Sequence, residues 1–330
     1  MSAEFEAIIV RFKPPAPPPP PNHRREQLAR IIQHVKRAYL QRAGRTASQV
    51  LADAFTASPQ EGRLTPNYSL WNVVPDPTIR LTSQSDTPIP GLTEHSFGVE
   101  VVTPIFHVAS GEEWKDELRA VLRGVAEHVE WTTNHSTGLH MHVGRQHNGY
   151  NVGFTLSELK RIAILVCRFE DAVDQCLPDH RGQRRNGNIL PNRHNALLRG
   201  QPLYQVYQLI EGATDLRALL RTINYVRREG SGSDKDDAYN GYQDSKYFKV
   251  NFTAAQKFKT IEFRQHEGTV SATVTIEWSE FILRFVNFAI YSHLDQLKAG
   301  GRNGTVQELH QLFVLPRLFQ ERLRRKHIQI

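Results

Sequence analysis

Residues 137–144 read TGLHMHVG, with His140 and His142 set two positions apart among apolar neighbours. In an extended strand, residues i and i+2 point to the same face. Leu139, Met141 and Val143 would then face a core, and both imidazoles would face the other way. Two further stretches share this layout. In 97–102, FGVEVV, the residues Phe97, Val99 and Val101 alternate with Glu100. In 260–266, TIEFRQH, the residues Ile261 and Phe263 alternate with Glu262, Arg264 and His266. A polar face on an antiparallel strand usually carries ordinary solvent-facing residues such as Lys, Thr, Ser and Gln. These three strands carry residue types that bind metal and phosphate.

The rest of the chain places these strands in an α+β frame. Residues 155–177 (TLSELKRIAILVCRFEDAVDQCL) form a long helical pattern, with Thr155 as its cap and Glu158 completing a capping box. Helical spacing also covers 111–131, 214–229, 271–297 and 305–326. The segments KYFKVNFT (246–253) and KTIEFRQHEGTV (259–270) read as strands with a link short enough for antiparallel pairing. Residues 70–83 read as two short extended pieces around a turn at Pro75 and Pro77. No Gly-rich phosphate loop follows a strand, so neither a P-loop nor a dinucleotide fold is indicated. The expectation is a mostly antiparallel sheet with one face packed on helices.

Residues 14–21, PPAPPPPP, read as a stiff polyproline II spacer. After it, Asn22 caps a helical pattern through Leu28, Ile31, Ile32, Val35, Tyr39 and Leu40. Residues 1–65 are therefore expected to be an appended proline-rich and helical arm, and 66–330 the main domain. The first residues, MSAEFEAIIVRF, carry Glu4 and Glu6 within a short apolar run, which does not fit a signal peptide. No run approaches the roughly 20 apolar residues that span a bilayer. No membrane partner is expected, and the expected location is cytoplasmic. Cys167 and Cys176 are too few for a disulfide framework or a cysteine metal site.

The chain has 330 residues, 41 Lys and Arg against 34 Asp and Glu, and a net charge of +7. That balance suits anionic partners. Much of the excess sits in 23–45 and 317–326, with no interleaved aromatics and no zinc-finger spacing, which argues against a nucleic-acid partner.

FGVEVVTPIF, TGLHMHVG and TIEFRQHEGT, in that order, resemble the motifs of the amidoligase family of glutamine-synthetase-like carboxylate–amine ligases. WNVVPDPT (71–78) and KYFKVNF (246–252) fit the same pattern, so the resemblance covers roughly 70–290. It implies a glutamine-synthetase-like catalytic domain, with a curved antiparallel sheet walling a site for ATP and Mg2+ or Mn2+. Glu100, His140 and Glu262 would be metal ligands, with His140, His142 and Arg264 on the nucleotide phosphates. Glu100, His140, Glu262 and Arg264 would form the catalytic set. Glutamine synthetases place a second Glu two positions after the first; here that position is Val102. Glu130, Glu170 or a substrate oxygen would then complete the metal site.

The implied reaction joins a small carboxylic acid, amino acid or peptide to an amine or ammonia through an acyl phosphate. Arg181, Arg185 and Arg193 are candidates for binding the substrate carboxylate, Lys249 and Asn251 could face the site, and 230–245 could be a lid. Two rival readings stand beside this one. One is a zinc hydrolase using the His-x-His pair. The other is a non-catalytic ligand-binding protein of the same fold. Sites of this kind can be completed across a subunit boundary, so a homo-oligomer is also open.

Overall fold

A computed structural model describes residues 1–12, 71–76, 78–81, 96–108, 111–147, 150–182, 189–225 and 245–330. The helical part of the expected arm, the candidate Arg185 and nearly all of the candidate lid lie outside the described residues. The chain divides into two compact units, one of residues 1–140 with 267–276 and one of 141–266 with 277–330.

The first unit is built on strands. In β1 (Ser2–Phe12), Ala3, Phe5, Ala7 and Ile9 are buried on one face while Glu4 and Glu6 occupy the other. β2 (Asn72–Pro75) pairs antiparallel with β3 (Phe97–Val102), and β3 pairs antiparallel with β1. The expected arm therefore begins with a sheet strand. The apolar face of β1 needs a core, and a free arm would leave Phe5 and Ile9 in water. The turn after β2 lies close against β3. A Cβ at Gly98 would stand 2.6 Å from Ile79 Cβ and 2.8 Å from the Asp76 carbonyl. Helix α1 (Glu113–His128) buries Leu118, Val121, Leu122 and Val125 on one stripe. It ends earlier than its periodicity predicts. Val129–Thr132 becomes β4, antiparallel to β1 with Ile8 opposite Thr132. Trp71, Phe106 and Trp114 close one corner, with ring centroids 6.2 and 6.1 Å apart.

β5 (Gly138–Gly144) runs through the division, with His140 the last residue of its first unit segment and Met141 opening the second. Leu139, Met141 and Val143 are buried, as the alternation predicts. The second unit continues with a two-residue pair, β6 (Gln146–His147) and β7 (Tyr150–Asn151). Helix α2 (Leu156–Cys176) starts at Thr155 with the predicted capping box. The stretch after it holds a short α3 (Asp179–Gly182) and a 3-10 turn at Asn192–His194. Then come α4 (Leu203–Gly212), not foreseen, and α5 (Leu216–Ile223). β8 (Val250–Asn251) pairs antiparallel with β9 (Thr260–Glu267) across the short α6 (Ala254–Phe258). The remaining helices are α7 (Ala272–Tyr291), α8 (Leu294–Lys298), α9 (Val306–Phe313) and α10 (Arg317–Arg325). The pattern over 305–326 reads as one helix, but Pro316 lacks the N–H that a helix interior needs and splits it.

Phe263 of β9 meets Phe285 of α7 at 6.5 Å, and Phe285 meets Phe169 of α2 at 6.4 Å. Strand β9 thus has one face packed on two helices, which leaves the faces of Glu262 and Arg264 to other work. The architecture is mixed helix and sheet, and the strand pairs β1–β3, β1–β4, β2–β3, β6–β7 and β8–β9 are all antiparallel. Both cysteines are buried and free. No helix among the described residues is long and apolar enough to cross a membrane.

Candidate active site

In the first unit the antiparallel register places Glu6 directly opposite Glu100 and Glu4 directly opposite Val102. Glu4 thus stands across the ladder from Val102, the position where the resemblance leads one to expect a second acid. Like charges facing one another across a sheet are destabilising unless something compensates. His140 of β5 joins this group. Its Nδ1 lies 3.6 Å from Glu4 Oε2 and its Nε2 3.5 Å from Glu6 Oε1. The other Glu6 oxygen accepts the Gly138 N–H at 2.6 Å, which fixes that carboxylate beside the start of β5. Glu4, Glu100 and His140 each offer a ligand atom, all within 4.8 Å of one another. Burial, then the nearby Glu4, Glu6 and Asp76, holds the Glu100 carboxyl well above the usual carboxylate range. A cation among these groups would remove that opposition.

The donor set fits a hard divalent ion. Carboxylate oxygens suit magnesium, and one imidazole shifts the preference toward manganese. The first-unit group contains one imidazole, that of His140.

In the second unit the predicted residues form a chain of contacts. Asn251 Nδ2 donates to Glu262 Oε2 at 2.6 Å, and Arg264 Nη1 pairs with Glu262 Oε1. Both Glu262 and Asn251 are buried. Asn251 Oδ1 accepts from the backbone and hydroxyl of Thr253, which fixes its amide orientation. His142 Nδ1 lies 2.9 Å from Thr260 Oγ1, and its ring meets Phe258 edge-on at 5.7 Å. Such contacts hold the ring and decide which nitrogen carries the proton. His266 was expected to share the face of Glu262 and Arg264. It is instead buried against Trp278 and Phe319, at 5.2 and 5.8 Å.

The candidate substrate residues take other positions. Arg181 is buried, and its Nε and Nη2 donate to the carbonyls of Gln265 at 3.2 Å and Arg264 at 2.5 Å. Lys249 is 1% exposed, and its ammonium pairs with both Asp174 oxygens. These donors are directed at protein oxygens, and burying such charges unpaired would cost several kcal/mol. Arg193 reaches Asp171 at 3.4 Å and Asn303 at 3.1 Å. Glu130 lies on β4 opposite Arg11 of β1. Glu170, on α2, accepts the backbone N–H groups of Asn192 and Arg193 beside a small cavity that Val166, Phe263 and Gln265 help to wall. Burial pushes its carboxyl up to about 7, with the Asp174 charge adding and Lys249 opposing.

Glu4 and Glu6 escaped the sequence reading of the site. Their signal was present: AEFEAIIV alternates acid and apolar residues as FGVEVV does.

A family model described as "Putative amidoligase enzyme" matches residues 4–286. The chain belongs to the amidoligase family. The match begins inside β1, so this family's region of the chain includes Glu4 and Glu6 as well as the three strands that carry the resemblance. No curated protein and no solved structure matches the chain. For an amidoligase, an amide-forming ligase by name, a cluster of carboxylates around one imidazole is a chemically apt arrangement.

Proposed function

We propose that the protein is an ATP-dependent carboxylate–amine ligase that works through an acyl phosphate, on the glutamine-synthetase-like sheet that its motifs imply. The observation that carries this reading is the register of β1 and β3, which sets Glu4 and Glu6 against Glu100 with His140 beside them.

The chemistry explains why such groups are needed. A carboxylate is a poor acylating agent because an oxide or hydroxide would have to leave. Transfer of the ATP γ-phosphoryl to a substrate carboxylate oxygen releases ADP and creates a phosphate leaving group. The amine nitrogen then attacks the carbonyl carbon, phosphate departs with the C–O electron pair, and the nitrogen loses a proton. Phosphoryl transfer asks the protein for alignment and charge neutralisation rather than covalent help. In the first unit Glu4, Glu100 and His140 would hold the divalent cation, with Glu6 beside them. When bound, that cation neutralises phosphate oxygens. In the second unit Arg264 supplies a planar, permanently charged donor fork suited to phosphate. Glu262 holds that fork. Asn251 orients Glu262. His142, held by Thr260 and Phe258, supplies a donor or acceptor to the nucleotide.

The test is an ADP-release screen with Mg2+ or Mn2+ against amino acids, dicarboxylates and peptides, using ammonium and primary amines as nucleophiles. We expect ADP to appear only when both an acid and an amine are present, and to vanish in Glu100→Gln and Arg264→Ala. Amide or ester hydrolysis without ATP, dependent on bound zinc, would overturn the ligase reading.

A further inference from the structure

Resting on the reading of Arg264 as a phosphate-binding residue, we propose that Arg181 and Lys249 are positioning residues that grip the Arg264 peptide from both sides. The Arg264 N–H donates to the Lys249 carbonyl at 2.7 Å, and the Arg264 carbonyl accepts Arg181 Nη2 at 2.5 Å. A second Arg181 bond, from Nε to the Gln265 carbonyl, takes the next peptide. Both anchors are themselves held. The Lys249 ammonium pairs with Asp174 of α2 and reaches the Gly182 carbonyl at 3.3 Å. Arg181 sits one residue before Gly182, where a Cβ would stand 2.9 Å from the Asp174 carbonyl. The glycine permits close contact between α3, which carries Arg181, and the end of α2, where Asp174 receives the Lys249 ammonium.

An apolar contact would hold β9 as firmly, since buried ion pairs seldom add stability over well-packed hydrophobic residues. What directional bonds add is the orientation of one peptide. Arg264 is long, so a small tilt of its peptide is magnified at the guanidinium. Functional groups must be held within about 0.5 Å and 10–20° to work, and a displacement of about 1 Å can cost roughly a hundredfold. The same peptide also carries the Glu262 pair, because Arg264 Nη1 and Asn251 hold the two Glu262 oxygens.

Two readouts on the full chain test this. The first is the Arg264 Nε–H signal in a 15N spectrum, assigned by its loss in Arg264→Lys. The second is the affinity for adenylyl imidodiphosphate with Mg2+. In Arg181→Gln we expect the Arg264 signal to shift and broaden and nucleotide affinity to fall about tenfold, as loss of an orienting partner does. Arg181→Lys, which keeps the charge and a single donor nitrogen, should restore part of both. The paired variant Asp174→Asn with Lys249→Met keeps the Lys249 carbonyl but removes the ion pair that holds it, without stranding a charge, and should repeat the effect if Arg181→Gln does not fold. An unchanged Arg264 signal in both variants would overturn the proposal. So would loss of carboxylate-substrate binding with an unmoved Arg264 signal, because Arg181 would then touch substrate. If the wild-type protein binds no nucleotide, the ligase reading fails alone, and the Arg264 signal still decides the positioning role.

Discussion

Glu100→Gln separates charge from shape at the carboxylate cluster. Glu100 faces Glu6 across the β1–β3 ladder, and one of its oxygens lies within 4.8 Å of one on Glu4. At that separation two unit charges repel by about 3 kcal/mol with an effective dielectric of ~20. Burial adds to the cost, and together they raise the Glu100 carboxyl above its ordinary range. Gln has nearly the same shape, carries no charge, and can donate its amide to Glu4. The cation-free variant should therefore be more stable than wild type, by up to that about 3 kcal/mol. One kcal/mol moves the midpoint of a chain this long by roughly 2 °C, so the expected rise is about 2–6 °C. A divalent ion reverses the ranking. At a hundred times its dissociation constant it should stabilise wild type by about 2.7 kcal/mol, or roughly 5 °C. The variant, short of one ligand, should respond little. Thermal melts at pH 8 in EDTA, then with rising Mn2+ or Mg2+, read both numbers. A variant that melts below wild type in EDTA, or that gains as much from the ion, would refute the reasoning.

Glu6→Gln should weaken Mn2+ binding about tenfold or more by calorimetry, because Glu6 holds both the His140 flank and the Gly138 amide; unchanged affinity would remove Glu6 from the cluster. Glu170 gives a pH signature. Its folded carboxyl titrates near 7 while its unfolded one titrates in the ordinary range near 4.5, so the folded state holds the extra proton between those values. Stability from this group is present at low pH and is lost as pH rises toward 7, by about 3 kcal/mol in all. Glu170→Gln should flatten that slope in urea melts between pH 5 and 8, and a slope identical to wild type would exclude Glu170 as its source. Gly98→Ala should cost about 1–3 kcal/mol, because its Cβ would collide with Ile79 and the Asp76 carbonyl and lift the 76–80 turn off β3. A melting midpoint equal to wild type would contradict that packing.

What could be read from the chain alone follows a physical line. β3, β5 and β9 were legible because each pairs a buried apolar face with an unusual polar one, and a period of two needs no knowledge of neighbours. The Thr155 capping box was legible because both its bonds are local. β4 was not, because Val129–Thr132 prolongs an amphipathic helix pattern until β1 offers it a ladder. Nor were the burial of Arg181 and the pairing of Lys249. A cation in a polar sequence looks ready for a ligand, and only the fold shows that Asp174 and two β9 carbonyls receive these donors. Glu4 and Glu6 stand between these cases. Their alternation matched that of β3, but the proline run that follows suggested an arm, and an acid in an arm has no reason to be a ligand. Register changed their meaning. Once Glu4 faces Val102, the apolar residue on β3 and the acid on β1 become one observation, and the divalent site we propose would draw its second acid from β1.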